Sequence, residues 1–373
     1  MSYSLSPSVS FREIDLTASA IATLASNGSI AGKFAWGPVN ERTRVANETQ
    51  LIQAFGAPTD SAYKEFYMST SFLAYSSALD VVRIGKEGTS KNAVVDTEPV
   101  VSVLNDTDYN TSVPVGNTFF AKYPGALGNS LKVVVCGTAN QYQMTLPGTF
   151  TFTIANTVAY DNATAESLVD YFNVDDQLVV DGTKYTVTAV AAAQLTLNKI
   201  YIGSTAARSL ADANVIRRWK YADLFSGSPV TNEFFLVVVD EDGLFTKEPG
   251  AVLESMALST STSALYDDGS VKYYKTAIGQ KSMFIRAGDL ALTFGGGDNT
   301  ANSYSLTGGD DAFDSLSLAE YIAGYDLFKN REEVTAPLII GGALDTGDTN
   351  GTLANYIIQN ICELRKDSIS FFS

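Results

Sequence analysis

Residues 338–372 read as strand, helix, strand, and such a unit cannot close a core by itself. Pro337 to Ile340 (PLII) is a short apolar strand ended by Gly341-Gly342. Leu353, Ile357, Ile361 and Leu364 then recur at helical spacing, and Ile369 to Phe372 (ISFF) starts another strand. A parallel strand pair joined by a helix needs neighbours on both faces. A second incomplete piece lies near the start. Residues 29–39 (SIAGKFAWGPV) predict a strand closed by Gly37-Pro38. Asn47 with Gln50 predicts the N-cap of a helix that runs to Phe55 and stops at Gly56. A further helix fits 60–77, with Phe66, Thr70 and Leu73 inward, and Leu79 to Ile84 predicts a β-branched strand. The simplest expectation is that residues 29–84 and 338–372 pack as one α/β domain, with Val81-Val82 and Ile339-Ile340 in a common sheet, and that everything between them is inserted.

The character of the chain changes after Gly85. Residues 93–218 are dense in Val and Thr with regularly spaced turn signals. QLVV, Asp181-Gly182 and KYTVTAV form a hairpin signature, followed by QLTL. This middle part is expected to be a curled β-barrel whose core includes Val133, Val135, Leu178, Val180, Val187 and Leu195. From Trp219 the pattern mixes again: a strand over 233–239 (EFFLVVV), a helix over 249–258, strands over 271–274 and 283–285, and a helix within 312–329. The expected class is therefore α+β and multidomain, with a discontinuous α/β domain around inserted β-rich and mixed domains. The divisions are 1–28 (arm), 29–88 (first part of the α/β domain), 89–218 (barrel-like insert), 219–330 (second, α/β insert) and 331–373 (second part of the α/β domain, incomplete). Gly85 and Gly88 are candidates for a hinge between domains. Residues 1–16 alternate, with Val9 and Phe11 on one face, and predict an extended arm that could add to a sheet edge; Ile14 and Leu16 continue it.

The chemistry available is narrow. The 373 residues contain no histidine, which removes Ser-His-Asp and Cys-His catalysis and imidazole metal sites. Cys136 and Cys362 both sit in apolar runs and read as buried small hydrophobes. Asp240-Glu241-Asp242-Gly243 fails as a calcium loop, because alignment on Gly243 puts Val238 and Pro249 at the end ligand positions. Gly295-Gly296-Gly297 lacks the lysine and helix start of a phosphate loop. No catalytic constellation, cofactor site or metal site is expected, and the chain does not read as an enzyme. With 41 acidic and 25 basic residues the net charge is −16. This disfavours nucleic acid and anionic membrane surfaces as partners. Neither a secretory signal nor an apolar run of about 18 residues is visible.

Eight stretches, in order, resemble the contractile tail sheath protein of T-even-type myophages: Leu5 to Leu16 (LSPSVSFREIDL), Ala31 to Val39 (AGKFAWGPV), Asn47 to Pro58 (NETQLIQAFGAP), Phe72 to Arg83 (FLAYSSALDVVR), Tyr123 to Val133 (YPGALGNSLKV), Phe235 to Glu254 (FLVVVDEDGLFTKEPGAVLE), Leu306 to Asn330 (beginning LTGGDD) and Pro337 to Asp367 (ending CELRKD). The resemblance covers most of the chain outside about 140–230. It implies a structural subunit that stacks in rings around a tail tube and contracts on a baseplate signal, driving the tube through the host envelope. It implies other sheath subunits, the tube protein, and baseplate and tail terminator proteins as partners. It also implies a location in the virion tail after assembly in the host cytoplasm, and strand exchange through terminal arms, here Val9, Phe11, Ile14 and Leu16. The family continues past the CELRKD stretch, so this chain is expected to lack a C-terminal region and, alone, to be monomeric. Rival readings are a β-rich carbohydrate-binding or adhesin-like virion surface protein, which would cluster some of the 19 tyrosines on an exposed face, and a glycoside hydrolase, which would need two carboxylates about 5–9.5 Å apart in a cleft.

Overall fold

The computed structural model describes residues 27–152, 155–161, 167–201, 208–211, 215–292, 294, 300–342 and 351–372. The chain divides into two compact units, one made of residues 1–86 with 313–373 and the other of 87–312.

The first unit is built on a five-stranded sheet in the order Arg42–Val45, Ala78–Arg83, Asn27–Gly32, Leu338–Gly341, Ile369–Phe372. Arg42–Val45 pairs antiparallel and the other pairings are parallel. Asn27–Gly32 is the central strand: Ile30 lies opposite Val81 on one side and Ile340 on the other, so the two chain segments pair directly through it, while the strands carrying Val81-Val82 and Ile339-Ile340 share the sheet without being neighbours. Because successive side chains alternate across a strand, Ile30 and Val81 enter one apolar cluster while Ala31 and Val82 enter another. Helices Glu48–Phe55 and Lys64–Leu73 supply Leu51, Phe55 and Phe66 to the first. Leu318–Asp326 and the helix from Thr352 supply Tyr321, Tyr325, Leu353, Ile357 and Ile361 to the second. The result is helix, sheet, helix, the arrangement that parallel strands require.

Local signals explain the helix ends. The Gln50 amide donates to Asn47 Oδ1 at 2.9 Å, and Gly56 turns the chain out at φ 76°. Ser317 and Glu320 form a reciprocal capping box on Leu318–Asp326. That helix lies close to the sheet at Gly324, where a Cβ would fall 2.7 Å from Ile84 Cγ2.

The second unit holds two antiparallel sheets. Seven strands run in the order Ala251–Ser259, Glu233–Asp240, Leu131–Cys136, Asn302–Thr307, Val94–Val95, Phe119–Ala121, Ile285–Ala287. Eight shorter strands between 143 and 218 surround one core that includes Phe150, Val158, Leu178, Val180, Tyr185, Val187, Leu195 and Val215. In this part Asp181 (φ 47°) and Gly182 (φ 81°) make the two-residue turn between Gln177–Val180 and Thr183–Ala191, as the Asp-Gly signal requires. Trp219, Phe225 and Phe235 stack in series, Phe225 and Phe235 with centroids 4.1 Å apart, within a separate apolar cluster.

Several expectations are corrected. Residues 251–259 form a strand and not a helix, because they pair with Glu233–Asp240 along its whole length. Tyr274 opens the helix Tyr274–Lys281, whereas 271–274 was expected to be a strand. The seven-stranded sheet draws residues 94–136 together with 233–307, so Val133 and Val135 are buried there and not in the eight-stranded core. The barrel-like part is thus narrower than 89–218, and 219–330 is not a separate sheet. Cys136 is buried, but Cys362 is only half-buried. The Gly295–Gly297 loop lies outside the described residues.

Candidate assembly surface

The two edges of the five-stranded sheet differ in chemistry. At one edge, the Arg44 guanidinium grips Asp80 with two 2.8 Å hydrogen bonds, Nε to Oδ1 and Nη2 to Oδ2. Arg42 and Arg44 line a shallow cleft of about 600 Å³ with Glu41, Asp80, Glu333 and Thr335. At the other edge, Ile369–Phe372 exposes Ile369 (64%), Phe371 (56%) and Phe372 (42%). An outer strand with large apolar side chains in water is a template for a further strand or partner surface.

The connection leading to that edge is held by one buried arginine. Arg365 donates from Nη1 to the Phe328 carbonyl (2.7 Å), from Nη2 to the Val334 carbonyl (3.0 Å) and Asp367 Oδ2 (3.2 Å), and from Nε to Asp367 Oδ1 (3.0 Å) and Ser368 Oγ (2.8 Å). Ser368 Oγ in turn donates to the Ala336 carbonyl at 2.7 Å. Nearby, Tyr325 donates its hydroxyl to the Ile340 carbonyl (2.7 Å) and accepts from the Gly342 amide (2.8 Å), and burial raises its pKa.

Other perturbed groups in the chain are also committed to structure. Asp240, the first acid of the rejected calcium loop, anchors its own turn. Its carboxylate accepts from Ser130 Oγ (2.6 Å), the Leu244, Phe245 and Thr246 amides (3.0, 3.0 and 2.8 Å) and Thr246 Oγ1 (2.8 Å). Arg217 and Asp176 form a fully buried pair at 3.1 Å, and burial raises the Asp176 carboxyl against the pull of the arginine. Burial also pushes the Cys136 thiol up to about 12, the opposite of what a nucleophile needs. Among the described residues no group of three His, Cys, Asp or Glu side chains could hold a metal ion.

The arm residues Val9, Phe11, Ile14 and Leu16 lie outside the described residues. Gly85 is buried; Gly88 is exposed with φ 70°, and the two units divide between them, at Lys86 and Glu87. The tyrosines of the eight-stranded part, Tyr160, Tyr171, Tyr185 and Tyr201, belong to its core. Strongly exposed tyrosines, Tyr63, Tyr67 and Tyr75, lie instead on or beside the helix Lys64–Leu73. Sequence reasoning passed over Arg217 and Arg286 and placed Arg365 only as a charge at the end of its helix. The available signal was a lone arginine inside an otherwise apolar segment, as in Phe284-Ile285-Arg286-Ala287.

In comparison with known proteins, the chain is similar to tail sheath proteins of bacteriophages. The tail sheath protein of Salmonella phage ViI is 25% identical over 406 residues, covering all of this chain and 60% of that protein. The tail sheath protein of Enterobacteria phage T4 is 32% identical over 124 residues, covering 32% of this chain and 18% of that protein. That of Vibrio phage KVP40 is 40% identical over 90 residues, 24% of this chain and 13% of that protein. The matches thus span 60% of the length of the first of these relatives and 18% and 13% of the other two. A solved sheath tail protein from Listeria innocua superposes at a TM-score of 0.41 with 12% identity, covering 91% of this chain and 45% of that one, too loose a likeness to argue from. No protein-family model matches the chain.

Proposed function

We propose that this chain is part of a contractile tail sheath subunit that polymerises with its copies around a phage tail tube and contracts to drive the tube through the host envelope. The observation that carries this reading is the match to a tail sheath protein along the entire chain. In this reading the two-segment α/β unit is the lattice-forming sheath domain and residues 87–312 are inserted into it. Rigid bodies that must move together during contraction suit units with separate cores. Gly85 and Gly88 serve as the hinge between them, and Val9, Phe11, Ile14 and Leu16 act as the arm that pairs with a neighbour's sheet edge. The tube, baseplate and tail terminator proteins are the further partners, with assembly in the host cytoplasm. The protein does no chemistry and holds no cofactor.

Immunoelectron microscopy on particles of the phage that carries the gene tests this. Antibodies raised against residues 87–312 should decorate the tail along its length between head and baseplate. Label confined to the capsid or fibres overturns the proposal and favours the surface-adhesin reading.

A further inference from the structure

Arg217, Arg286 and Arg365 are all at least 98% buried, yet they are partnered very differently. Arg365 donates five hydrogen bonds, and Arg217 donates to Asp176 and to the Asn140 and Gln141 carbonyls. Arg286, on the strand Ile285–Ala287, makes one hydrogen bond among the described residues, from Nη2 to Asp106 Oδ1. Its Nε is buried with no acceptor. The guanidinium lies over the Tyr109 ring at 4.3 Å, and Tyr109 is fixed by a 2.9 Å hydrogen bond from its hydroxyl to the Ala287 carbonyl. Stacking occupies the face of the guanidinium and leaves its in-plane N–H groups needing acceptors. A buried charge in this condition calls for a further oxygen ligand.

Arg286 lines a cleft of about 400 Å³ between the helices Asp106–Thr111 and Tyr274–Lys281, a volume suited to a small molecule. The other groups around it are donors or neutral: Asn110, Lys275, Thr276 and Gln280, besides Asp106 itself. Among the described residues the side chains of Asn110, Thr276 and Gln280 have no hydrogen-bond partner. Lys275 Nζ donates to the Asp289 carbonyl at 2.6 Å and keeps donors to spare. Arg286 and Lys275 against the single carboxylate of Asp106 leave the cleft with a positive excess in a chain of net charge −16. We infer that this cleft binds a carboxylate, which takes the free in-plane donors of Arg286 and a second contact from Lys275. The carboxylate is presented either by a small organic acid or by an acidic side chain of a protein loop. This is independent of the sheath reading.

Titration of the ¹⁵N-labelled chain with succinate, with the acetylated and amidated peptide Gly-Glu-Gly, and with inorganic phosphate, all at constant ionic strength, tests the inference. Saturable shifts at the Gly279 and Arg286 amides are expected with a carboxylate probe. Tighter binding of succinate assigns a small acid, and tighter binding of the peptide an acidic side chain. Arg286→Gln should weaken binding more than about tenfold, through loss of charge-assisted hydrogen bonds. Lys275→Gln changes a surface residue without disturbing the fold and should weaken it by roughly two- to fivefold. Absence of saturation with either carboxylate, phosphate binding tighter than both, or unchanged affinity in Lys275→Gln overturns the inference.

Discussion

Replacing Asp240 by asparagine is a test of whether this acid is a structural anchor. The side chain is fully buried, and five donors converge on it: Ser130 Oγ and the Leu244 amide on Oδ1, and the Phe245 amide, the Thr246 amide and Thr246 Oγ1 on Oδ2. An asparagine keeps one acceptor oxygen and presents an NH₂ at the other position. If the NH₂ replaces Oδ2, it faces two backbone N–H groups. If it replaces Oδ1, Ser130 can rotate to accept, and the Leu244 N–H is left with only its long 3.4 Å bond to Ser130 Oγ. The second arrangement is cheaper, and a buried donor left so poorly paired costs about 1–3 kcal/mol. Loss of the charge on the remaining bonds adds about 1 kcal/mol. The expected destabilisation of the unit 87–312 is therefore about 2–4 kcal/mol, or roughly 4–16 °C in melting temperature.

The pH dependence fixes the mechanism. Burial pushes the Asp240 carboxyl up, but hydrogen bonds from Ser130, Thr246 and Phe245 more than reverse this and hold it below its ordinary value of 3.8. A depressed folded pKa contributes stability above the unfolded value, and that contribution is lost as pH falls through the folded one. The gap between wild type and Asp240→Asn in urea unfolding should thus be full at pH 7 and narrow below about pH 4. A loss under about 1 kcal/mol, or one of the same size at pH 3, refutes the argument.

Three further outcomes are expected. Arg365→Met strips the acceptors at Phe328, Val334 and Asp367 of a fully buried cation and should cost about 3–5 kcal/mol by thermal or urea unfolding of the α/β unit. Gly182→Ala should cost about 1–2 kcal/mol although nothing lies within 4 Å of the new Cβ, because the penalty is the φ of 81° alone; hairpin amide exchange should quicken accordingly. A thiol reagent at pH 8 should titrate Cys362 in the native protein and reach Cys136 only in denaturant, since burial raises the Cys136 thiol to about 12.

Features governed by neighbouring residues were legible. Asn47, Gln50 and Gly56 bound a helix because capping is settled within one turn, and Asp181-Gly182 fixed a hairpin because the turn itself demands positive φ. Features governed by distant residues were not. AVLESMALS contains good helix formers, yet it is a strand because Glu233–Asp240 offers a backbone ladder along its whole length. Leu131–Cys136 resembles the strands of the eight-stranded part in composition, and only its partners, about a hundred residues and more further on, place it in the other sheet. Arg286 was overlooked for a similar reason: its meaning lies in what fails to surround it.

The helix beginning at Thr352 carries this reasoning one step further. Its inward residues, Leu353, Ile357, Ile361 and Arg365, follow one another at strict intervals of four, and all are buried. In a regular α-helix each such step drifts by about 40°, so Arg365 would be turned well away from the line begun by Leu353. The chain avoids this with a π-helical segment over Ile358–Cys362, a wider turn that absorbs the drift. The sequence predicts Leu353, Ile357, Ile361 and Leu364 as the inward face; Leu364 is instead exposed and Arg365 takes its place, because the wider turn shifts the buried face by one residue. With that wider turn the Arg365 guanidinium reaches the Phe328 and Val334 carbonyls, and it anchors the connection into the outer strand Ile369–Phe372, which pairs with Leu338–Gly341.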